Sequence, residues 1–340
     1  NVLEAPMSTL RALAGELGLS ITTVSRALDG YEDVARATRE RVVEAARAAG
    51  YRPNPAARRL RKGASETVAV VMPTGTGRFY EPVFVELLAV VGNCLARRHY
   101  DLVLMAAAPG AEEAAVYKRI VADRRADACI LVRTRRNDPR VRFLSKAGLP
   151  FVCHGRVDHH EPYAFVDGDG ATGVAAVTTR LIASGHRAIA HISGPSEFTF
   201  SGIRADGYRE AMQQAGLQPW PVGECAMNED GGYAAAEALL RSANRPTALV
   251  CATDRLAIGA IRAAQAAGLV VGRDIAISGH DNIHASAFTS PGLTTMEHDP
   301  VAVGACLADM LLARIGGASP DGMQQIFPLK QVPRGSTGES

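Results

Sequence analysis

From Glu66 onward the chain keeps one beat: a short aliphatic run, then an amphipathic stretch long enough for a helix, then another run. "VAVVM", "DLVLMAA", "ACILV" and "PFVCH" carry the first half, with helices expected near 82–98, 111–125 and 139–147. "AFVD", "AIAHIS", a weaker run near 222–227, "ALVCA" and "IAISG" carry the second, with helices near 171–184, 203–215, 232–242 and 254–267. Runs apolar on both faces are what parallel strands need, because crossover helices cover both sides of their sheet. The pattern predicts an α/β core of two doubly wound parallel sheets, one per half. The remainder supplies "LTTMEHD", a helix near 300–315 and an extended "QQIFPLKQV", and the polar "GSTGES" is expected to fray.

Residues 8–50 have a different texture. "STLRALAGELG" places Leu10, Leu13, Ala14 and Leu17 on one helical face, "GLS" breaks it, and Ser20 suits the N-cap of a second helix over Ile21–Leu28. A third helix is expected at about Thr38–Ala49, stopped by Gly50. Next comes "YRPNPAARRLRKGAS", where Asn54 suits an N-cap and Pro55 a first helical position. A helix this short does not hold by itself in water, so it should order only against a partner.

With 340 residues the chain exceeds one ordinary core. The expected division is a helix-turn-helix headpiece over 7–52, a hinge helix and linker over 53–65, and a two-lobed core over 66–330. The first lobe is expected to hold 66–164 and 293–325, the second 165–292, with the chain crossing between them three times. Met7 is read as the natural start, and residues 1–6 are set aside.

Charge is distributed unevenly. Residues 1–63 hold 11 Lys+Arg against 7 Asp+Glu, whereas the rest holds 26 against 28. A basic front end is permissive for nucleic acid, whose phosphates dominate affinity. The six cysteines are widely spaced without a CxxC pair and sit mostly in aliphatic runs, so they read as buried thiols in a reducing compartment. No apolar run approaches the roughly 18 residues of a membrane span, and the first 30 residues lack a signal-peptide core. The expectation is a cytoplasmic protein with no membrane partner.

"LSITTVSRALDG" packs hydroxyl and arginine side chains among aliphatic ones. On a helix sized for a major groove, Ile21, Thr22 and Arg26 would face base edges. Ser20, Thr23 and Ser25 are short donors for phosphates.

Together, "TLRALAGELGLSITTVSRALDG", "TRERVVEAARAAGYRPNPAARRLR" and the βα-rich body resemble the LacI/GalR family of bacterial transcription regulators over essentially the whole chain. The resemblance implies a helix-turn-helix headpiece, a hinge helix and a core like the periplasmic sugar-binding proteins. It implies Ile21, Thr22 and Arg26 as groove readers, Tyr51 and Asn54 near the DNA backbone, and Leu60 as a minor-groove wedge. Arg58, Arg59, Arg61 and Lys62 flank that wedge and suit phosphates or the groove floor. One departure stands out: where the family usually caps its third helix with serine, this chain has Ala35, which costs on the order of 1 kcal/mol unless Asp33 or Thr38 substitutes.

In such a core the ligand lies between lobes at the carboxyl ends of strands. Polar groups just after the runs include Arg133 and Arg135, His154 and Arg156, Asp167 and Asp169, Thr253 and Asp254, and His280, Asp281 and Asn282. From these the effector set is Arg135, His154, Asp169, Asp254 and Asp281, joined by Arg204 and by an aromatic wall of Phe79, Tyr80, Phe84 and Tyr233. Carboxylates and guanidinium groups each grip paired hydroxyls, and aromatic rings cover a sugar's C–H face. The residues around "RTRRNDPRVRFL", "PFVCHGR" and "FVDGDG" resemble the α-glucoside-sensing branch of the family.

The main rival is Gly168, Gly170 and Gly173, which have GxGxxG spacing after a strand and at a helix start. The next strand, however, ends in Ser193 and Gly194 without the acid that would hold a ribose. Histidines at 159, 160, 280 and 284 lack a ligand set at metal spacing, and no hydrolase elbow or HExxH occurs. The expectation is a homodimeric repressor of carbohydrate-utilisation genes, not an enzyme, without cofactor or metal. It would bind a pseudo-palindromic double-stranded operator and a small sugar. An NAD(P)-dependent oxidoreductase and a sugar-binding transport protein remain as alternatives.

Overall fold

A computed structural model describes residues 9–51, 64–74, 82–221 and 223–338. The chain divides into two compact units, residues 1–65 and 66–340.

The first unit is three helices: α1 (Leu10–Leu17), α2 (Ile21–Leu28) and α3 (Arg36–Ala48). Thr9 caps α1 by accepting from the Ala12 amide, and Gly18, in the left-handed region at φ 63°, ends it. The Ser20 hydroxyl accepts from the Thr23 amide at 3.0 Å and starts α2 at the predicted residue. Leu13, Ala14, Val24, Ala27, Val34, Val42 and Ala46 form the small core. Helix α3 begins two residues earlier than expected, and Ala35 gives it no side-chain cap. Asp33 does not substitute, because its carboxylate is bonded to Arg26.

In the second unit the predicted sheets form. The first is six-stranded and parallel, in the order β11-β5-β4-β3-β1-β2. Its strands are β1 (Thr67–Pro73), β2 (Asp101–Ala107), β3 (Ala128–Leu131), β4 (Phe151–His154), β5 (Phe165–Gly168) and β11 (Gln324–Phe327). Strand β1 shows why its run is continuously apolar. Val68, Val70 and Met72 enter one core with α4 (Pro82–Ala96) and α11 (Pro300–Ile315), while Ala69 and Val71 enter another with α5 (Ala111–Ala122) and α6 (Pro139–Ala147).

The second sheet is β7-β6-β8-β9, from β6 (Ile189–Ser193), β7 (Gly223–Glu224), β8 (Ala248–Cys251) and β9 (Ala276–Ser278). Helices α7 (Gly170–Ala183) and α8 (Thr199–Gln214) cover one face, and α9 (Glu229–Leu240) and α10 (Asp254–Ala266) the other. Both helix pairs approach closely at glycine. A Cβ on Gly207 would meet the Ala171 carbonyl oxygen at 2.1 Å, and one on Gly259 the Glu229 carbonyl oxygen at 2.0 Å.

The chain crosses between lobes three times: after β5, after β10 (Thr295–Glu297), and between β11 and β12 (Lys330–Val332). Strands β10 and β12 pair antiparallel at this hinge. Three boundaries differ from expectation. Phe165–Gly168 belongs to the first lobe, because it is the strand between β4 and β11. Residues 293–297 still serve the second, since the Gly279 amide donates to the Thr294 carbonyl and the Asp281 amide to that of Met296. And residues 334–337 are ordered: the Ser336 hydroxyl, fully buried, donates to the Ile277 carbonyl and accepts from the Thr294 amide at 2.8 Å.

Backbone hydrogen bonds join the lobes at the start of α8. Phe198 offers no side-chain cap there; instead the Thr199 amide donates to the Thr134 carbonyl of the first lobe at 3.1 Å, and the Arg136 amide donates to the Glu197 carbonyl. The first turn of a second-lobe helix is thus completed from the other lobe.

Candidate functional site

Two surfaces carry the candidate residues. On the headpiece, Ile21 is 42% exposed, and Thr22 and Arg26 are exposed beside it. The Arg26 guanidinium pairs with Asp33 and lies over the Tyr31 ring, 4.7 Å from its centroid. The Ser20 and Thr23 hydroxyls share a hydrogen bond of 2.8 Å. Ser25 departs from expectation: only 6% exposed, it is buried on the inner side of α2 with Val24 and offers little surface to a phosphate. Tyr51 is half-buried against the headpiece core. Asn54, Arg58, Arg59, Leu60 and Arg61 lie outside the described residues, as do Phe79 and Tyr80.

The second surface is a cleft between the lobes, about 980 Å³ when the open solvent at its mouth is counted. From the first lobe come Phe84, Arg133, Thr134, His154 and Asp167; from the second, Phe200, Arg204, Thr253, Arg255, His280 and Asp281, with His298 at a crossing. Arg204 is its centre: it donates to the Ala252 carbonyl and to Asp281 at 3.2 Å, and its guanidinium stands 5.0 Å from the centroid of the Phe200 ring. Asp281 sits at φ 111° and Asn282 at 48°, an unusual turn for side-chain-bearing residues, beginning three residues past the end of β9.

Electrostatics fix the protonation states. Burial works against the Asp281 charge, but Arg204 and the neighbouring His280 outweigh it and hold the carboxyl down to about 2. Burial, with help from Arg204, pushes His280 down to about 4; burial does the same to His154 and His298. All three are neutral imidazoles near pH 7. Facing an ionised Asp281 at 3.0 Å, His280 Nδ1 is the donor, which leaves Nε2 as an acceptor. Among the described residues, Arg204 Nε, His280 Nε2 and His298 Nε2 are buried without a hydrogen-bond partner, and buried polar atoms of this kind ordinarily have one. Three guanidinium groups in or beside the cleft face carboxylates: Arg204 faces Asp281, Arg156 faces Asp167 at 2.7 Å, and Arg255 faces Glu229 at 2.7 Å. Such a cleft offers directional hydrogen bonds and an aromatic face.

Phe84, His154, Arg204 and Asp281 are thus brought together as expected. Four others are not in the lining. Arg135 is tied to the buried Glu113 at 3.0 Å, whereas Arg133, turned by a φ of 50°, takes the place in the cleft. Asp169 caps α7, accepting from Thr172. Tyr233 packs into the second-lobe core. Asp254, fully buried, accepts from the Ile283 amide at 2.9 Å and from the Thr295 hydroxyl, and burial together with Asp281 pushes its carboxyl up to about 7. Phe200, Arg255 and His298 were missed. Phe200 stands one turn before Arg204 on α8, and His298 directly follows a strand, so helical spacing and the strand-end rule could each have found one.

The GxGxxG glycines have a packing reason. A Cβ on Gly168 would meet Leu329 of the hinge at 3.1 Å and one on Gly173 would meet it at 2.8 Å, while one on Gly170 would crowd the Arg204 side chain of α8 at 3.2 Å.

Residues 9–54 match the family model described as bacterial regulatory proteins, lacI family, and 178–337 match the periplasmic binding protein-like domain. The chain is 38% identical to the HTH-type transcriptional regulator AglR of Rhizobium meliloti (strain 1021), over 97% of this chain and 94% of that one. It is 35% identical to RafR of Escherichia coli, an HTH-type transcriptional regulator, over 93% and 94%. The solved complex of the transcriptional regulator CelR with cellobiose superposes with a TM-score of 0.75 at 30% identity, covering 96% of this chain and 99% of that one. Likeness of this breadth, over a helix-turn-helix unit and a two-lobed core alike, makes the chain a member of the LacI family of bacterial regulatory proteins.

Proposed function

We propose that the chain is a cytoplasmic repressor of carbohydrate-utilisation genes that binds a pseudo-palindromic operator as a homodimer and is switched by a small sugar. The observation that carries the sugar reading is the cleft's unpartnered donor and acceptor, Arg204 Nε beside the Phe200 ring and His280 Nε2. A donor and an acceptor beside an aromatic ring match the hydroxyls and the C–H face of a sugar. CelR, seen with cellobiose, supports the same class.

On the DNA side, Ile21, Thr22 and Arg26 read the major groove, Ser20 and Thr23 hold phosphates, and Tyr51 and Asn54 lie near the backbone. Leu60 acts as the wedge, with Arg58, Arg59 and Arg61 around it. In the core, ligand biases the equilibrium only through contacts that differ between lobe arrangements. Helix α8, which carries Arg204, begins against the first lobe's Thr134, so a ligand held by Arg204 bears on a helix that touches both lobes. The test is a thermal-shift screen over neutral mono- and disaccharides, followed by operator binding with and without the best of them. At about 100 times its dissociation constant a true effector adds about 2.7 kcal/mol to the core. No shift from any sugar, or a shift without a change in DNA affinity, would overturn the reading.

A further inference from the structure

We propose that Asp33 is a positioning residue for base recognition: it clamps one edge of the Arg26 guanidinium so that the other edge is presented to a guanine. This rests on the operator-binding reading above.

A guanidinium has five N–H donors along two usable edges. Asp33 engages the Nε–H, at 3.2 Å, and one Nη2–H. What remains is the end-on pair, Nη1 and the outer hydrogen of Nη2, whose spacing matches guanine O6 and N7. Tyr31 covers one face of the same group at 4.7 Å from the ring centroid. Both residues lie in the turn after α2, outside the reading helix, so recognition depends on residues that need touch no base.

The charge argues the same way. An acid on a phosphate-facing surface weakens binding to every duplex, so its presence beside Arg26 opposes general affinity. What Asp33 contributes is direction. A long side chain free to sweep could donate to phosphates or to several bases, whereas a clamped one rejects sequences that place no guanine before it.

The test is selection from a pool of randomised duplexes by the full chain and by Asp33→Asn, then competition binding on the selected site and its single-base variants. The unaltered chain should select a motif containing a guanine whose replacement costs about 5- to 150-fold in affinity. In Asp33→Asn that penalty should shrink by about fivefold or more, while affinity for random duplex stays equal or rises. Tyr31→Leu, with its fold checked by helical circular dichroism, should shrink the same penalty less and decides the matter if Asp33→Asn does not fold. A penalty unchanged in the variants overturns the proposal even where operator binding holds, as does tighter operator binding with the penalty intact, which would make Asp33 a mere competitor for Arg26. If the unaltered chain selects no sequence, the operator reading itself falls.

Discussion

Arginine meets aspartate in the headpiece and again in the cleft, and the two pairs behave as different devices. Arg26–Asp33 has side chains 44% and 55% exposed, whereas Arg204–Asp281 has 11% and 17%. Water screens the first, so it contributes little to folding, and what it sets is the direction of the Arg26 side chain. The second has lost its water; its two charges rely on each other, and removal of either strands its partner. Exposure therefore assigns the headpiece pair to selectivity and the cleft pair to the integrity of the receptor.

The largest test of that contrast is Asp281→Ala. It should cost the core about 3–5 kcal/mol in urea or thermal unfolding and abolish the sugar response, while the double variant with Arg204→Ala costs less than the sum. A loss under about 1 kcal/mol would erase the distinction between the pairs.

Acidification comes next. Burial holds His154, His280 and His298 down to about 4 and His191 to about 3, so between pH 6.5 and 4 the unfolded core binds more protons than the folded one. Core stability should fall as pH drops through that window. Asp254 runs the opposite way: with its carboxyl raised to about 7, it favours the folded state at low pH and loses that effect as pH rises towards 7. Asp254→Asn should therefore steepen the acid loss. Residues 9–51 contain no histidine, so the headpiece transition should stay flat from pH 6.5 to 5. Parallel melts followed by probes in each unit check both statements.

Arg26→Ala should shift headpiece stability by no more than about 1 kcal/mol, yet remove about 1–3 kcal/mol of discrimination at one base position. The smallest effect is a gain. Ala35→Ser supplies the missing cap of α3 and should raise the headpiece melting midpoint, by about 1 kcal/mol in stability, without altering sequence preference.

What could be read in advance divides along the same physical line. The limits of α2 were legible because a Ser20 cap and a four-residue periodicity are local properties, and the strands were legible because a run buried on both faces has no polar positions. The identity of the cleft residues was only half legible. Arg133 and Arg135 follow the same strand two residues apart, and what separates them is the positive φ of the first and the grip of Glu113, on a distant helix, on the second. Asp254 and Asp281 are likewise both strand-end acids, yet one is consumed by Ile283 and Thr295 at the hinge. Ser336 was misjudged because its composition is that of a loose tail, while its hydroxyl answers two backbone groups of the second lobe.

The threading of the hinge has a bearing on biosynthesis. Strand β11 completes the first sheet from residues 324–327, and Ser336 fastens the second lobe, so each lobe waits for chain made long after its own first strand. On the ribosome the headpiece can fold early by itself, whereas both halves of the receptor stay unfinished until the final strands emerge. Premature termination before 324 would accordingly release a protein that still carries its DNA reader but has no receptor able to report on sugar.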